Sequence, residues 1–178
     1  MWSNSAEKQM RLVILTGASG SGKTAIAQAI ASERVPVAEI LRFDSIGVPP
    51  AEAMVAGWGS PEGWQRAKVF EWITRISAMR ELDRPVLFEG QMRLAFLREA
   101  LASAGILAAR IVLVDCDDAT RTHRLTWERR QPELANPTMM SWAAHLRREA
   151  QEIDCEILDT TGVSLKSSVD QVRRYLES

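Results

Sequence analysis

Cysteine is scarce in this chain of 178 residues: Cys116 and Cys155 are the only two, far apart in sequence. They form no CxxC pair and no metal-ligand spacing, which excludes a disulfide framework and a cysteine zinc centre and leaves two buried, reduced thiols. Histidine is equally rare, and neither His123 nor His145 has triad or metal partners at a recognisable spacing. Both read as surface or packing residues. No apolar run approaches the ~20 residues of a membrane span, and residues 1–10 lack the apolar stretch of a secretory signal. Charge of one sign is missing too. Lys and Arg number 22 against 23 Asp and Glu, a net charge of -1, so no global basic field recruits nucleic acid or an anionic membrane. No repeat, low-complexity tract or partner-binding extension stands out. The remaining composition is ordinary for a globular protein, 46% hydrophobic and 25% charged. The expectation is one domain over residues 1–178, in the reducing cytoplasm, with no nucleic-acid, membrane or obligate protein partner.

Short apolar runs alternate with longer helical patterns. Strands are expected at 11–16, 37–43, 86–88, 111–114 and 156–158. Helices are expected over 23–34, then from Pro61-Glu62 with Phe70, Ile73 and Ile76 on one face and Trp72 in the core. Leu94, Leu97, Leu101 and Ala104 mark another, stopped by Gly105. An arginine-rich helix follows over about 119–130, then one over about 138–152, and Leu165, Val169, Val172 and Leu176 stripe the last. Strands regularly separated by helices imply an α/β fold of parallel βαβ units, with helices on both sheet faces. Ligands of such sheets bind at the carboxyl ends of the strands. Thr16-Gly17, Asp44, Glu89 and Asp115 all fall at that edge.

Gly17-Ala18-Ser19-Gly20-Ser21-Gly22-Lys23-Thr24 is the strongest signal. It joins an expected strand to an expected helix. Glycines free the backbone to wrap, so that N–H groups converge on phosphate oxygens. In this pattern the lysine reaches the β and γ phosphates of a nucleotide and the hydroxyl of Thr24 ligates Mg²⁺. Asp44 ends the second apolar run, where a carboxylate can take the proton of an acceptor hydroxyl or hold Mg²⁺ through water. Glu89 and Asp115 compete for the metal-associated carboxylate at the end of a strand. Glu89 is favoured because Gly90 allows a ligand close approach, whereas Asp117 and Asp118 after Asp115 suit a helix cap.

Arg121, Arg124, Arg129 and Arg130 share one helix, and Arg147 and Arg148 lie on the next, across a loop with Pro132 and Pro137. Arginines in this position stabilise the charge spread over a transferring phosphoryl group, with Arg124 and Arg129 the catalytic candidates. The alternative is a solvated face paired to Glu128, Glu149 and Glu152. Residues 43–65 contain no Lys or Arg. Trp58 and Trp64 lie in that stretch as candidate walls of an acceptor pocket. Cations could reach it only from neighbours such as Arg42, Arg66, Arg75, Arg80 and Arg93. Arg93 is the one retained as a substrate contact. A neutral or cationic acceptor fits this stretch better than a phosphorylated one.

With the glycine-rich loop, Phe43-Asp44 and the arginine-rich helix in place, the chain resembles the P-loop small-molecule and nucleoside-monophosphate kinases, among them gluconate, shikimate and adenylate kinases and chloramphenicol phosphotransferases. The resemblance implies a three-layer P-loop NTPase fold with a five-stranded parallel sheet of order 2-3-1-4-5. It implies ATP and Mg²⁺ as cofactors, a small-molecule acceptor enclosed by about residues 45–80, and a lid over about 119–150. It also implies adenine contacts from the loop after the fifth strand, at Thr160 and Thr161. The activity implied is transfer of the γ-phosphoryl group of ATP to a small-molecule hydroxyl. A nucleoside-monophosphate kinase is the alternative within the group. A nucleotide switch or ATPase is the alternative outside it, although the guanine-reading Asn-Lys-x-Asp stretch is absent.

Overall fold

A computed structural model describes residues 10–33, 37–79, 81–82 and 84–178. The readings made for residues 1–9, for the end of the first helix at Arg34, and for Arg80 lie outside the described residues. Five strands, β1 (Leu12–Thr16), β2 (Glu39–Arg42), β3 (Val86–Gly90), β4 (Arg110–Asp115) and β5 (Glu156–Asp159), form a parallel sheet. Its order is β2-β3-β1-β4-β5, as expected. The helices are α1 (Lys23–Ala31), α2 (Ala51–Trp58), α3 (Pro61–Ser77), α4 (Leu94–Ser103), α5 (Asp118–His123), α6 (Pro137–Glu152) and α7 (Leu165–Glu177).

The central strand shows why the sheet is covered on both faces. Successive side chains of β1 point to opposite sides. Leu12 and Ile14 join one buried cluster with Val86 and Phe88 of β3, Ile73 and Ile76 of α3, and Leu97 of α4. Val13 and Leu15 join another with Ile26 and Ile30 of α1 and Val172 and Leu176 of α7. A third cluster seats Leu146 and Ala150 of α6 on Leu113 of β4. The helix starts are set by local chemistry: Ser60, Asp117, Asn136 and Ser164 each accept an N–H of the turn they open, and Pro61 and Pro137 occupy the first turns of α3 and α6. Among the described residues no helix is long and apolar enough to cross a membrane.

Three local differences from the sequence reading bear on the site. Strand β2 stops at Arg42, and a 3-10 turn (Phe43–Ile46) follows, so Asp44 sits on a turn. Helix α2 forms within the stretch that lacks Lys and Arg, where no helix was expected; Pro50 enters it and Gly59, at φ 78°, ends it in the left-handed region. The arginine-rich helix is not continuous. After His123 it widens into a π-helical turn (Arg124–Glu128), a distortion that re-aims the side chains it carries.

Phe43 anchors the β2 edge of the sheet. It is buried, meets Trp64 edge-on at 5.7 Å, and its carbonyl accepts the Trp72 indole N–H at 3.1 Å. The room left by Gly90 is filled by this ring rather than by a ligand: a Cβ at Gly90 would stand 2.3 Å from the Phe43 Cβ. Gly90→Ala is therefore expected to lose about 3 kcal/mol of stability, the upper part of the usual range for an overpacked core. Urea unfolding measures it, and an unchanged midpoint would contradict this packing.

Candidate active site

The glycine-rich loop follows β1 and enters α1 at Gly22, which is left-handed at φ 104°. A side chain at Gly17 is impossible without movement, since its Cβ would lie 2.2 Å from the Val114 carbonyl oxygen of β4. The loop thus lies against the strand ends, and its carbonyls are taken from behind. Arg121 donates to Ser19 O at 2.7 Å. Arg124 donates to Gly20 O and Ser21 O, each at 3.3 Å. The Thr160 hydroxyl donates to Ser21 O at 2.8 Å. A peptide whose carbonyl is turned inward presents the adjoining N–H groups outward, the disposition an anion cradle needs.

Lys23 lies at the floor of this cradle, buried, with its Nζ donating to Ala18 O at 3.0 Å. Burial brings its pKa down to about 8. Glu89 and Asp44 act in the opposite direction, while Arg121 and Arg129 add to the lowering. Two carboxylates and two guanidiniums therefore bear on one ammonium. Around it a cavity of about 300 Å³ is lined by Gly20, Gly22, Thr24, Gln28, Arg124 and Arg129, among others.

Thr24 and Glu89 meet at the sheet edge, with the Thr24 hydroxyl 3.4 Å from Glu89 Oε2. Burial pushes the Glu89 carboxyl up, Lys23 offsets part of that, and Arg42 stands 3.8 Å away. A hydroxyl and a carboxylate are hard oxygen donors of the type Mg²⁺ takes beside phosphates and water. No group of three or more His, Cys, Asp or Glu among the described residues could hold a metal by itself. The donor set fits an ion carried in with a phosphate ligand. Asp115, the competing carboxylate, is engaged elsewhere: it is buried and holds Arg121 Nη2 at 2.5 Å and Arg147 Nε at 2.6 Å. Asp117, after it, caps α5.

Asp44 stands on its turn with an exposed carboxylate that has no hydrogen-bond partner among the described residues. The residues behind it were not all legible. Trp64, expected to wall a pocket, is only 5% exposed and supports Phe43 from the core, because α3 turns its apolar stripe inward. Trp58 is 41% exposed and lies under Lys68, whose Nζ is 5.5 Å from the ring centroid. Thr160 is buried as a strut of the loop, and Thr161 Oγ1 accepts the Asp117 N–H, so both side chains face the protein rather than a bound base. The sequence reading missed Gln65 and Gln91. Gln65 ties α3 to the loop after β3 through Gln91 O (3.0 Å) and the Arg93 N–H (3.2 Å), and Gln91 Oε1 accepts from Ser19 Oγ at 3.3 Å. Glutamine belongs to no motif here, and only its position one turn after the α3 start hinted at a role.

No family model matches the sequence, and no curated protein matches it. Solved structures do. A sugar kinase from Janibacter sp. HTCC2649 superposes with a TM-score of 0.65 at 20% identity, covering 94% of this chain and 95% of that one. A shikimate kinase from Acinetobacter baumannii in complex with shikimate gives 0.61 at 16% identity, covering 97% and 96%. A gluconokinase from Sinorhizobium meliloti 1021 gives 0.59 at 16% identity, covering 96% and 93%. The chain has the P-loop kinase fold over nearly its whole length.

The arginines divide by geometry. Arg121 is fully buried against Asp115, Ser19 and Cys116, whereas Arg148 is exposed. Arg121→Met is expected to lose roughly 3 kcal/mol, the low end for breaking a buried ion pair, because Arg147 still holds Asp115. Arg148→Met is expected to stay within about 0.5 kcal/mol of the parent. Equal unfolding midpoints for the two variants would contradict the division.

Proposed function

We propose that this chain is a phosphotransferase that moves the γ-phosphoryl group of ATP to a hydroxyl of a small molecule. The observation that carries the reading is Asp44: an exposed, unengaged carboxylate on a turn at the end of β2, near enough to Lys23 and Glu89 to bear on both. A phosphate cradle alone would serve a switch or an ATPase. A carboxylate presented beside it serves an acceptor.

The loop N–H groups and Lys23 bind the phosphates. Thr24 and Glu89 would hold Mg²⁺, which when bound supplies charge neutralisation at the phosphates. Asp44 orients the acceptor hydroxyl and takes its proton as the oxygen attacks the γ-phosphorus; the bond from that phosphorus to the bridging oxygen breaks, ADP leaves, and the proton stays on the carboxylate. Arg129 and Arg124 line the same cavity as Lys23, where a guanidinium offsets charge on the equatorial oxygens in the transition state. Arg124 also braces the loop, so it acts on the phosphates partly through the backbone it holds. Residues of about 45–80 enclose the acceptor, and about 119–150 cover the phosphates and exclude water, which limits hydrolysis. The two free thiols fit a cytoplasmic enzyme.

Asp44→Asn retains size and hydrogen bonding and removes the base. The expected result is a kcat at least ~100-fold lower, the scale of a general base, with the ATP dissociation constant little changed. Steady-state kinetics and ATP titration measure the two separately. A matching loss of ATP binding would place Asp44 in the metal shell instead.

A further inference from the structure

We propose that the acceptor is an uncharged or cationic hydroxyl compound, and that Glu62 sets this preference by occupying the guanidinium that would otherwise take an anionic one. The inference rests on the transferase reading above. It begins from Arg93, which follows Gly90-Gln91-Met92 at the end of β3, on the acceptor side of the sheet. A carboxylate or phosphate on the acceptor would need a guanidinium fork there, because bidentate recognition of an anion is the property arginine supplies.

One arm of that fork is already taken, and its Nε, although buried, makes no hydrogen bond. Nη1 of Arg93 donates to Glu62 in the first turn of α3. On its other side Nε lies 3.9 Å from the buried Glu149 carboxylate. Glu149 cannot turn away, since its two oxygens accept the Leu94 and Ala95 N–H groups at 3.0 and 3.2 Å. The guanidinium also lies on the Phe96 ring, 5.2 Å from its centroid. Glu62 and Gln65 are one helical turn apart on α3, so the side chains that meet the 91–93 loop from this helix are a carboxylate and a neutral amide.

Among the described residues, the other cations bordering this stretch are paired as well. Arg66 is bound to Glu99, Arg75 and Lys68 to Glu71, and Arg42 stands beside Glu89. Residues 43–65 add no Lys or Arg. Asp44, Glu62, Glu89 and Glu149 thus face Lys23, Arg42 and Arg93, four carboxylates against three cations among the described residues. The Arg93–Glu62 pair is partly exposed, and such a pair is weak by itself. Selection comes from the sum: an anion entering here must displace Glu62 and still face the remaining carboxylates, whereas an ammonium or a neutral hydroxyl compound meets no such opposition.

The test uses the full chain with a panel of hydroxyl compounds arranged in matched sets, such as glucosamine, glucose and gluconate, or adenosine and adenosine monophosphate. ATP consumption gives kcat/KM for each. The neutral or cationic member of the productive set is expected to exceed the anionic member by at least ~10-fold, the scale of one unfavourable charge at a binding site. Glu62→Gln is expected to narrow that ratio by about tenfold through kcat/KM of the anionic member, and Glu99→Gln, which releases the outward-facing Arg66, to leave it unchanged. A preferred acceptor that carries a carboxylate or phosphate, or a ratio unmoved by Glu62→Gln, overturns the inference and leaves the transferase reading standing. If no compound raises ATP consumption above the acceptor-free rate, the transferase reading itself fails and the inference with it.

Discussion

The pairing of Asp115 with Arg121 is the constraint on which the candidate site depends. Asp115 ends β4 and is buried, so its charge must be matched inside the protein. Arg121 matches it from α5 and, with its other terminal nitrogen, takes the Ser19 carbonyl. This bond makes the shape of the glycine-rich loop a consequence of the sheet. The strand end fixes the guanidinium, and the guanidinium turns the loop peptide. Arg124 and Thr160 repeat the operation on Gly20 and Ser21, and Thr160 is itself seated on Asp115 O by its N–H and its hydroxyl. Arg147 brings α6 onto the same carboxylate. One residue therefore joins these parts: the Asp115 carboxylate holds α5, α6 and, through Arg121, the loop, and its carbonyl holds the segment after β5.

The β2 side of the sheet has its own centre in Phe43, packed between Trp64, Phe88 and the space left by Gly90, with its carbonyl held by Trp72. Burying that ring stops β2 and sets Asp44 on the turn that follows. The two centres communicate through the middle of the sheet. The Thr16 hydroxyl, where β1 becomes the loop, both donates to and accepts from the backbone of Met92 beyond β3. Ser19 reaches Gln91 across the same gap. A shift of the loop after β3 would thus be felt in the glycine-rich loop.

Much of this was legible in the sequence, for identifiable reasons. The cradle is written in glycines whose conformations other residues cannot adopt, such as Gly17 against Val114 O and Gly22 at φ 104°. The strand and helix pattern followed from periodicity, and Asp44 and Glu89 from their places after apolar runs. Arg124 and Arg129 were singled out among the arginines, but the structural part of Arg121 and Arg147 was not legible, because it depends on which strand end each one meets. Arg121 and Arg147 serve Asp115, while Arg124 and Arg129 line the cavity. Trp64 was misread because an apolar residue beside Gly and Pro can serve a pocket or a core, and only the rotation of α3 decides. Thr160 was placed in the right loop with the wrong partner, since its contact with Ser21 spans nearly the whole chain. Gln65 and Gln91 carry no motif, and their importance comes from α3 and the loop after β3 lying side by side.

In the proposed reaction the phosphoryl group leaves ATP for an organic hydroxyl. The most direct measurement follows the label of γ-³²P-ATP during turnover with a panel of hydroxyl compounds. The account predicts slow release of inorganic phosphate alone, and with a competent acceptor a faster reaction that places the label on the organic compound. Label recovered only as inorganic phosphate, at a rate that no hydroxyl compound raises, would contradict it.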